Sequence, residues 1–325
     1  MVNQELLGTV ASSGRMHVRL RNIRLEADRI NSYVLEALPG ETLPSFEAGA
    51  HVDVQISPGL VRSYSLLGNP DEHRFYEIAV QHTNDSRGGS RQIHETWRVG
   101  SMVEIVAIRN NFPLIEDAAY TVLIAGGIGI TPMLSMITRL QKLGRKWKLH
   151  YVAASPERAA YVERLSGFPQ ATVTFDGVDD GQRLDLKSIC EAAPDDAHLY
   201  CCGPTGMLDA FMGFTQARPP GHAHIEYFAA ETDFAKDGGY TIKLAKTGKT
   251  LVVNKGETIL DSLLAAGVDV GFACAEGVCG SCQVGVLDGI PDHRDHCLTN
   301  QEKEANKVIM VCCSGSRSNT LVLDL

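Results

Sequence analysis

Cys274-Ala275-Glu276-Gly277-Val278-Cys279-Gly280-Ser281-Cys282 sets three cysteines at C-x4-C-x2-C, and 29 residues separate Cys282 from a fourth, Cys312. This is the spacing of a plant-type [2Fe–2S] site. A short loop that wraps thiolates round a small cluster must turn tightly and bring backbone N–H groups to the sulfurs. Gly271, Gly277 and Gly280, lacking a Cβ, permit both. A zinc ribbon wants two C-x2-C knuckles and only one such pair stands here. Buried cysteines acting as small hydrophobes are the bland alternative, but four falling on this pattern by accident is on the order of one per cent or less. The fourth ligand has a rival. Cys313 is adjacent to Cys312, and on the strand-like run 308–313 the two would face opposite ways. The spacing selects Cys312 and leaves Cys313 and Cys297 as core or surface thiols.

Around this loop, residues 240–325 form a segment with strand-like ends at 240–245 and 321–323. A polar stretch at 231–239, with two glycines and four charges, reads as a linker before it. From Asp233 onward there are 12 acidic and 9 basic residues, and a thiolate-bound cluster adds negative charge. Its electron acceptor should therefore offer a basic patch. The whole chain of 325 residues carries 30 basic and 39 acidic groups, a net −9. That lacks the footprint of a nucleic-acid binder, so a small molecule or a protein is the expected partner. Nine cysteines are an odd number for a disulfide framework, and the start shows no secretory pattern. A reducing cytoplasm is expected, with cysteines kept for metal or redox use.

Upstream, residues 120–215 alternate apolar strands with helical stretches, the pattern of a parallel sheet covered on both faces. Residues 118–138 carry no charge over 21 positions, long enough to cross a bilayer, but Gly126, Gly127, Gly129 and Pro132 break the run into strand, turn and helix. No membrane span is expected. Gly126-Gly127-Ile128-Gly129-Ile130-Thr131-Pro132 then predicts a helix start with Thr131 as N-cap and Pro132 in the first helical position, where uncapped N–H groups favour a pyrophosphate. A second turn, Tyr200-Cys201-Cys202-Gly203-Pro204, follows another strand. Ligands of open parallel sheets lie beyond the carboxyl ends of strands, so the two turns define a cleft for one extended dinucleotide. The string departs from G-x-G-x-x-G, which leaves a plain strand-to-helix turn as the competing reading.

Residues 16–110 show short alternating runs, which predict an antiparallel barrel. Arg62-Ser63-Tyr64-Ser65 puts a guanidinium, two hydroxyls and an aromatic ring on one strand, suited to a phosphate and an isoalloxazine. Arg87-Gly88-Gly89-Ser90 supplies a second anion cradle at a helix start.

With these residues in place, the chain resembles the phthalate dioxygenase reductases, single-chain reductases that feed Rieske oxygenases. The motifs carrying the resemblance are RSYS and GGS, then RNNFPL at 109–114, GGIGITPM, CCGPTGM and finally CAEGVCGSC. The resemblance implies an antiparallel flavin-binding β-barrel over 1–115, an α/β pyridine-nucleotide domain with a parallel sheet over 116–230, a linker over 231–239 and a β-grasp plant-type ferredoxin domain over 240–325. It implies that Arg62, Ser63, Tyr64 and Ser65, with Gly88, Gly89 and Ser90, bind FMN, with Ala79, Val80 and Gln81 along its ring edge. Gly127, Gly129, Thr131 and Pro132 would hold the NADH pyrophosphate. Cys202 and Gly203 would sit by the nicotinamide, with Glu226 and Phe228 closing on both rings. Ser65, Cys202, Glu226 and Phe228 are thus the candidate catalytic set, and Cys274, Cys279, Cys282 and Cys312 the metal ligands.

FAD stays open because no residue excludes an adenosine half. NADPH stays open because Ala154-Ser155-Pro156-Glu157-Arg158 has no clean acidic residue at the strand end, while Arg158 suits a 2′-phosphate. The implied function is a reductase component: hydride passes from NADH to the flavin, which can hold a single electron, and electrons go singly to the cluster and on to an oxygenase docking on the ferredoxin domain. A monomer is expected. Two alternatives remain: a stand-alone flavin or haem-protein reductase, and a flavin-free metal-binding module.

Overall fold

A computed structural model of the chain describes residues 15–83, 88–177, 183–228 and 234–325. The chain divides into two compact units, Met1–Phe228 and Ala229–Leu325.

The first unit holds two sheets. Strands β1 (Met16–Ala27), β2 (Ile30–Ala37), β3 (His51–Ser57), β4 (Leu60–Ser65) and β5 (Phe75–Gln81), helix α1 (Gly89–Thr96) and strand β6 (Met102–Arg109) come first. The strands pair in the order β4-β3-β6-β1-β2-β5, every neighbour antiparallel. Period-two alternation directs their packing: Val18 and Leu20 are buried between exposed His17, Arg19 and Arg21. The ends of the sheet meet through an isolated bridge between Leu67, just past β4, and Glu77 on β5, so the sheet curls into a barrel. Val52, Val54, Leu66, Ile78 and Ile105 fill it, each contributing roughly 1.5–3 kcal/mol by leaving water.

The second sheet follows: β7 (Thr121–Gly126), α2 (Ile130–Lys142), β8 (Trp147–Ala153), α3 (Val162–Leu165), β9 (Ala171–Phe175), α4 (Leu186–Ala192), β10 (His198–Cys202), α5 (Thr205–Thr215) and β11 (Ala223–Glu226). Its order is β11-β10-β7-β8-β9, all parallel. Every residue of β7 is buried, as a central strand covered on both faces requires. The direction of winding reverses between β7 and β10, which makes their carboxyl ends the switch point where such sheets bind ligands. Between β8 and β9, where the alternation predicts a helical stretch, the chain forms only a short 3₁₀ turn, Pro156–Arg158, and the four-residue α3.

The second unit contains β12 (Tyr240–Leu244), β13 (Thr250–Val253), α6 (Ile259–Ala265), β14 (Gln283–Asp288), β15 (Pro291–Asp292), α7 (Asn300–Ala305), β16 (Val308–Met310), β17 (Gly315–Ser316) and β18 (Thr320–Leu323). Its main sheet runs β13-β12-β18-β14-β16, with β12 and β18 parallel and the other neighbours antiparallel. Helix α6, opened by a reciprocal Thr258/Asp261 capping box, buries Ile259, Leu260 and Leu263. This is the β-grasp arrangement expected around the cysteines. Of the stretch read as a linker, 231–233 lies outside the described residues, while Phe234 packs against this unit's core and the Ala235 N–H donates to the Cys313 carbonyl at 2.9 Å. Among the described residues no helix is long and apolar enough to cross a membrane.

Candidate functional site

The two end strands of the barrel sheet carry the flavin motifs. With β4 and β5 drawn together and α1 packed on β3, β4 and β5, residues 62–65, 79–81 and 88–90 come to one place. The Arg62 stem crosses Gly89 so closely that a β-carbon there would lie 2.8 Å from Arg62 Cγ. Gly88, with φ 94, caps α1 without a side-chain hydrogen bond, so a guanidinium stem and a helix start share one anion cradle. Arg87 lies outside the described residues.

Tyr64 is half-buried against the barrel core, and burial pushes its hydroxyl above the ordinary tyrosine range. Ser65 is buried with no hydrogen-bond partner for Oγ, the kind of orphan that a polar ring atom would satisfy. His51, opposite Ser65 in register, is held neutral, its pKa lowered to about 4 by burial and by Arg109. Ala79 and Val80 are buried, Gln81 is exposed, and the Val80 carbonyl is met by His94 Nε2 at 2.9 Å. Ser63 points elsewhere: its hydroxyl donates to Asp53 Oδ1 at 2.6 Å, and buried Asp53 forms an ion pair with Arg109. Sequence reasoning missed Asp53, although a lone acid inside the apolar alternation of β3 was a visible signal.

The nucleotide turns meet backbone to backbone. A β-carbon on Gly129 would stand 2.1 Å from the Cys202 carbonyl oxygen, and one on Gly126 2.8 Å from Pro204 Cδ. Gly127, at φ 54, faces open space. The expected cap is corrected. A 3₁₀ turn over Gly127–Gly129 starts the helix early, Gly129 is the N-cap, and Thr131 and Pro132 are its second and third residues. The Thr131 hydroxyl instead donates to the Ile128 carbonyl at 2.9 Å. Pro132 is tolerated there because the first-turn N–H groups have no intrahelical acceptor.

A cavity of about 840 Å³ opens beyond these strand ends, with Gly126, Gly127, Ala154, Pro204 and Met207 in its wall. Asp176, just after β9, lines it too, with Arg183 and Lys187, whereas Arg158 does not. The acid sought after the second strand thus follows the third. Cys202 is fully buried and its thiol pushed up by burial. Glu226, opposite Cys202 in register, is half-buried as a residue, yet its Oε2 is enclosed without a partner and burial pushes the carboxyl up to about 8. Phe228 is exposed at the end of this unit.

In the second unit all four candidate ligands are buried. They pair two and two. The Cys274 and Cys279 thiols hydrogen-bond each other, as do those of Cys282 and Cys312. In each pair one sulfur is pulled down by its partner's S–H, in Cys279 and Cys312, and the other is pushed up. Among the described residues no three His, Cys, Asp or Glu side chains converge on one ion position. Four buried thiols on one loop and the turn after β16 are the donor set that a two-iron cluster would take. The loop carries Gly277 and Gly280 at φ 74 and 73 and Ala275 at φ 53, whereas Gly271 has an ordinary backbone. The Glu276 N–H donates to Cys274 Sγ at 3.3 Å and the Cys274 N–H to Cys279 Sγ at 3.5 Å. One expectation fails: β16 ends at Met310 and residues 311–313 form a turn, so Cys312 and Cys313 are not splayed across a strand, and their thiols hydrogen-bond each other.

Comparison with known proteins agrees with this geometry. Residues 242–316 match the 2Fe-2S iron-sulfur cluster binding domain. The chain is 43% identical to phenoxybenzoate dioxygenase subunit beta of Ectopseudomonas oleovorans, over 98% of this chain and 100% of that protein. It is 42% identical to a vanillate O-demethylase oxidoreductase of a Pseudomonas species, over 95% of this chain and 100% of that one. A solved structure of phthalate dioxygenase reductase, described as modular for electron transfer from pyridine nucleotides to [2Fe–2S], superposes with a TM-score of 0.73 at 36% identity, over 96% of this chain and 98% of the other. Fold and site define an electron-transfer reductase that uses a flavin, a pyridine nucleotide and a [2Fe–2S] cluster. The chain belongs to the phthalate dioxygenase reductase family.

Proposed function

We propose that this reductase takes hydride from NADH onto FMN and delivers single electrons through its cluster to a Rieske-type oxygenase or demethylase docking on the ferredoxin domain. It would act as a cytoplasmic monomer. The observation that carries the reading is the burial of four cysteines at the C-x4-C-x2-C…C spacing, three of them on a loop whose backbone N–H groups donate to their sulfurs. The flavin cradle of Arg62, Gly89 and unpartnered Ser65 and the paired glycine turns support it. When bound, the flavin supplies the exchange between a two-electron and a one-electron carrier, which nicotinamide cannot perform alone.

The chain's own residues position and insulate. Arg62 and the start of α1 take the phosphate, Tyr64 lies along the ring, and Ser65 offers a buried hydroxyl to its polar edge. Ala79 and Val80 keep water from that edge, and the Gly88-Gly89-Ser90 backbone closes the phosphate end. Gly127 and Gly129, with Thr131 and Pro132 behind them, seat the pyrophosphate, and Gly203 lets it pass the second strand end. Cys202 and Glu226 line the nicotinamide end. A carboxyl pushed up to about 8 is largely neutral at pH 7, so Glu226 presents a hydrogen-bond donor to a carboxamide without adding charge beside the transferring hydride. Phe228, exposed at the end of its unit, is the side chain available to cover the rings. FMN and NADH are favoured over FAD and NADPH by the resemblance to phthalate dioxygenase reductase; the cavity wall offers Asp176 to a free ribose hydroxyl and Arg183 and Lys187 to a phosphate.

The test is chemical analysis of anaerobically purified protein: mass identification of the extracted flavin, iron and acid-labile sulfide counts, and bleaching by NADH. FMN, equal iron and sulfide, and rapid bleaching are expected. Serine variants of Cys274, Cys279, Cys282 and Cys312, made singly, should keep flavin bleaching and lose cytochrome c reduction. A colourless protein without sulfide would overturn the reading, and full cytochrome reduction by the serine variants would make it a stand-alone flavin reductase.

A further inference from the structure

Asp295 is the one buried charged residue among the described residues of the second unit, and it lies behind the cysteine loop. Asp295, only 2% exposed, accepts the Leu298 N–H on Oδ2 at 2.9 Å. Lys303 Nζ lies 3.8 Å from that oxygen and donates to the Asp295 carbonyl at 2.6 Å. Oδ1 is enclosed without a hydrogen-bond partner, and the nearest cation-forming group is His293, whose Nδ1 stands 3.7 Å away. Burying a carboxylate costs several kcal/mol before its partners repay it, so a buried acid with one oxygen unsatisfied calls for a role.

The backbone of the same residue touches the loop. A β-carbon on Gly277 would lie 3.2 Å from Asp295 Cα and 2.6 Å from Cys313 Sγ. The His296 N–H donates to the Gly277 carbonyl at 2.9 Å, so the segment bearing Asp295 is fastened to the cysteine loop at Gly277, beside Cys313, which is next in sequence to the ligand Cys312. Asp295 is therefore joined to the ligand loop at one glycine. Two effects act there. The lock on Leu298 keeps the 293–298 segment pressed on Gly277, and the carboxylate places a fixed negative charge close behind a centre that gains an electron. N–H···S bonds and local charge are the protein's means of setting such potentials.

We propose that Asp295, with Lys303 as its counter-ion, is a positioning residue that holds the 293–298 segment on Gly277 of the cysteine loop, and that its negative charge lowers the reduction potential of the cluster. The proposal rests on the [2Fe–2S] reading of the cysteines. The test uses the full-length holoprotein, with potentials from a redox titration followed by electron paramagnetic resonance. Asp295→Asn keeps the shape and the acceptor for Leu298 while removing the charge, and should raise the potential at unchanged iron and sulfide content. Lys303→Met removes the opposing charge and should lower it. Asp295→Ala loses the lock and should release iron to a chelator roughly tenfold faster, with flavin content unchanged. Unchanged potentials in both charge variants, or shifts of the same sign, overturn the proposal. If Asp295→Asn fails to load a cluster, Lys303→Met decides alone: a fall supports the proposal and no change defeats it. Absence of acid-labile sulfide from the unaltered protein is a different result and defeats the cluster reading itself.

Discussion

Gly129 and Cys202 touch through their backbones, the missing β-carbon of the one falling 2.1 Å from the carbonyl oxygen of the other. Residues 73 positions apart thereby join the start of α2 to the end of β10, next to the Gly126, Gly127 and Pro204 wall of the cavity proposed to take the dinucleotide.

Gly129→Ala should force these elements apart, because the clashing atom is backbone and has no rotamer to yield. A loss of about 1–3 kcal/mol is expected from overpacking of this kind. Urea unfolding would measure it, and NADH affinity should fall at least tenfold while flavin content holds. A variant with unaltered NADH binding would show that the contact does not shape the cleft.

Arg62→Ala should lower FMN affinity by tenfold or more, since a charge-assisted hydrogen bond contributes about 1.5–3 kcal/mol. Arg62→Lys should recover only part, a point charge replacing a planar fork. Flavin retention through gel filtration and fluorescence titration with FMN and riboflavin would read this out. Riboflavin, without a phosphate, should bind wild type and variant alike.

Glu226 makes stability depend on pH with a defined sign. Its folded pKa of about 8 lies above the ordinary 4.5, so the folded chain binds the proton more tightly than the unfolded one. Its contribution is full below about 4.5 and is lost as pH rises towards 8. Denaturant melts of wild type and Glu226→Gln between pH 5 and 9 should diverge, with the wild type declining more steeply. Parallel curves would mean that the carboxyl is not isolated.

Asp53→Ala should destabilise the first unit by about 3 kcal/mol, because it removes the buried carboxylate that pairs with Arg109 and accepts the Ser63 hydroxyl. Removing both partners, as Asp53→Ala with Arg109→Met, should cost less than the single change. Thermal melts of the flavin-loaded protein would compare them, and a double variant worse than the single one would contradict the pairing.

The chain order already carried whatever depends on near neighbours. The C-x4-C-x2-C loop is self-contained, so its spacing announced the cluster, while the β-grasp around it was implied by the family resemblance. Period-two and strand–helix alternation marked the barrel and the parallel sheet, and the glycine turns marked the strand ends beyond which a cavity opens. Local rules also misled. The Thr131-Pro132 pair looked like a helix start, yet Gly127 at φ 54 turns the chain two residues sooner. Cys312 and Cys313 looked like strand residues, yet they sit in a turn. Folding alone settled the rest: Asp176 entering the cleft from a third strand, Asp53 finding Arg109, Asp295 lying behind Gly277, and an enclosed carboxyl on Glu226. Burial and electrostatic coupling depend on which groups are brought within a few ångströms of one another, and residues tens of positions apart leave no periodic trace of that in the order of the chain.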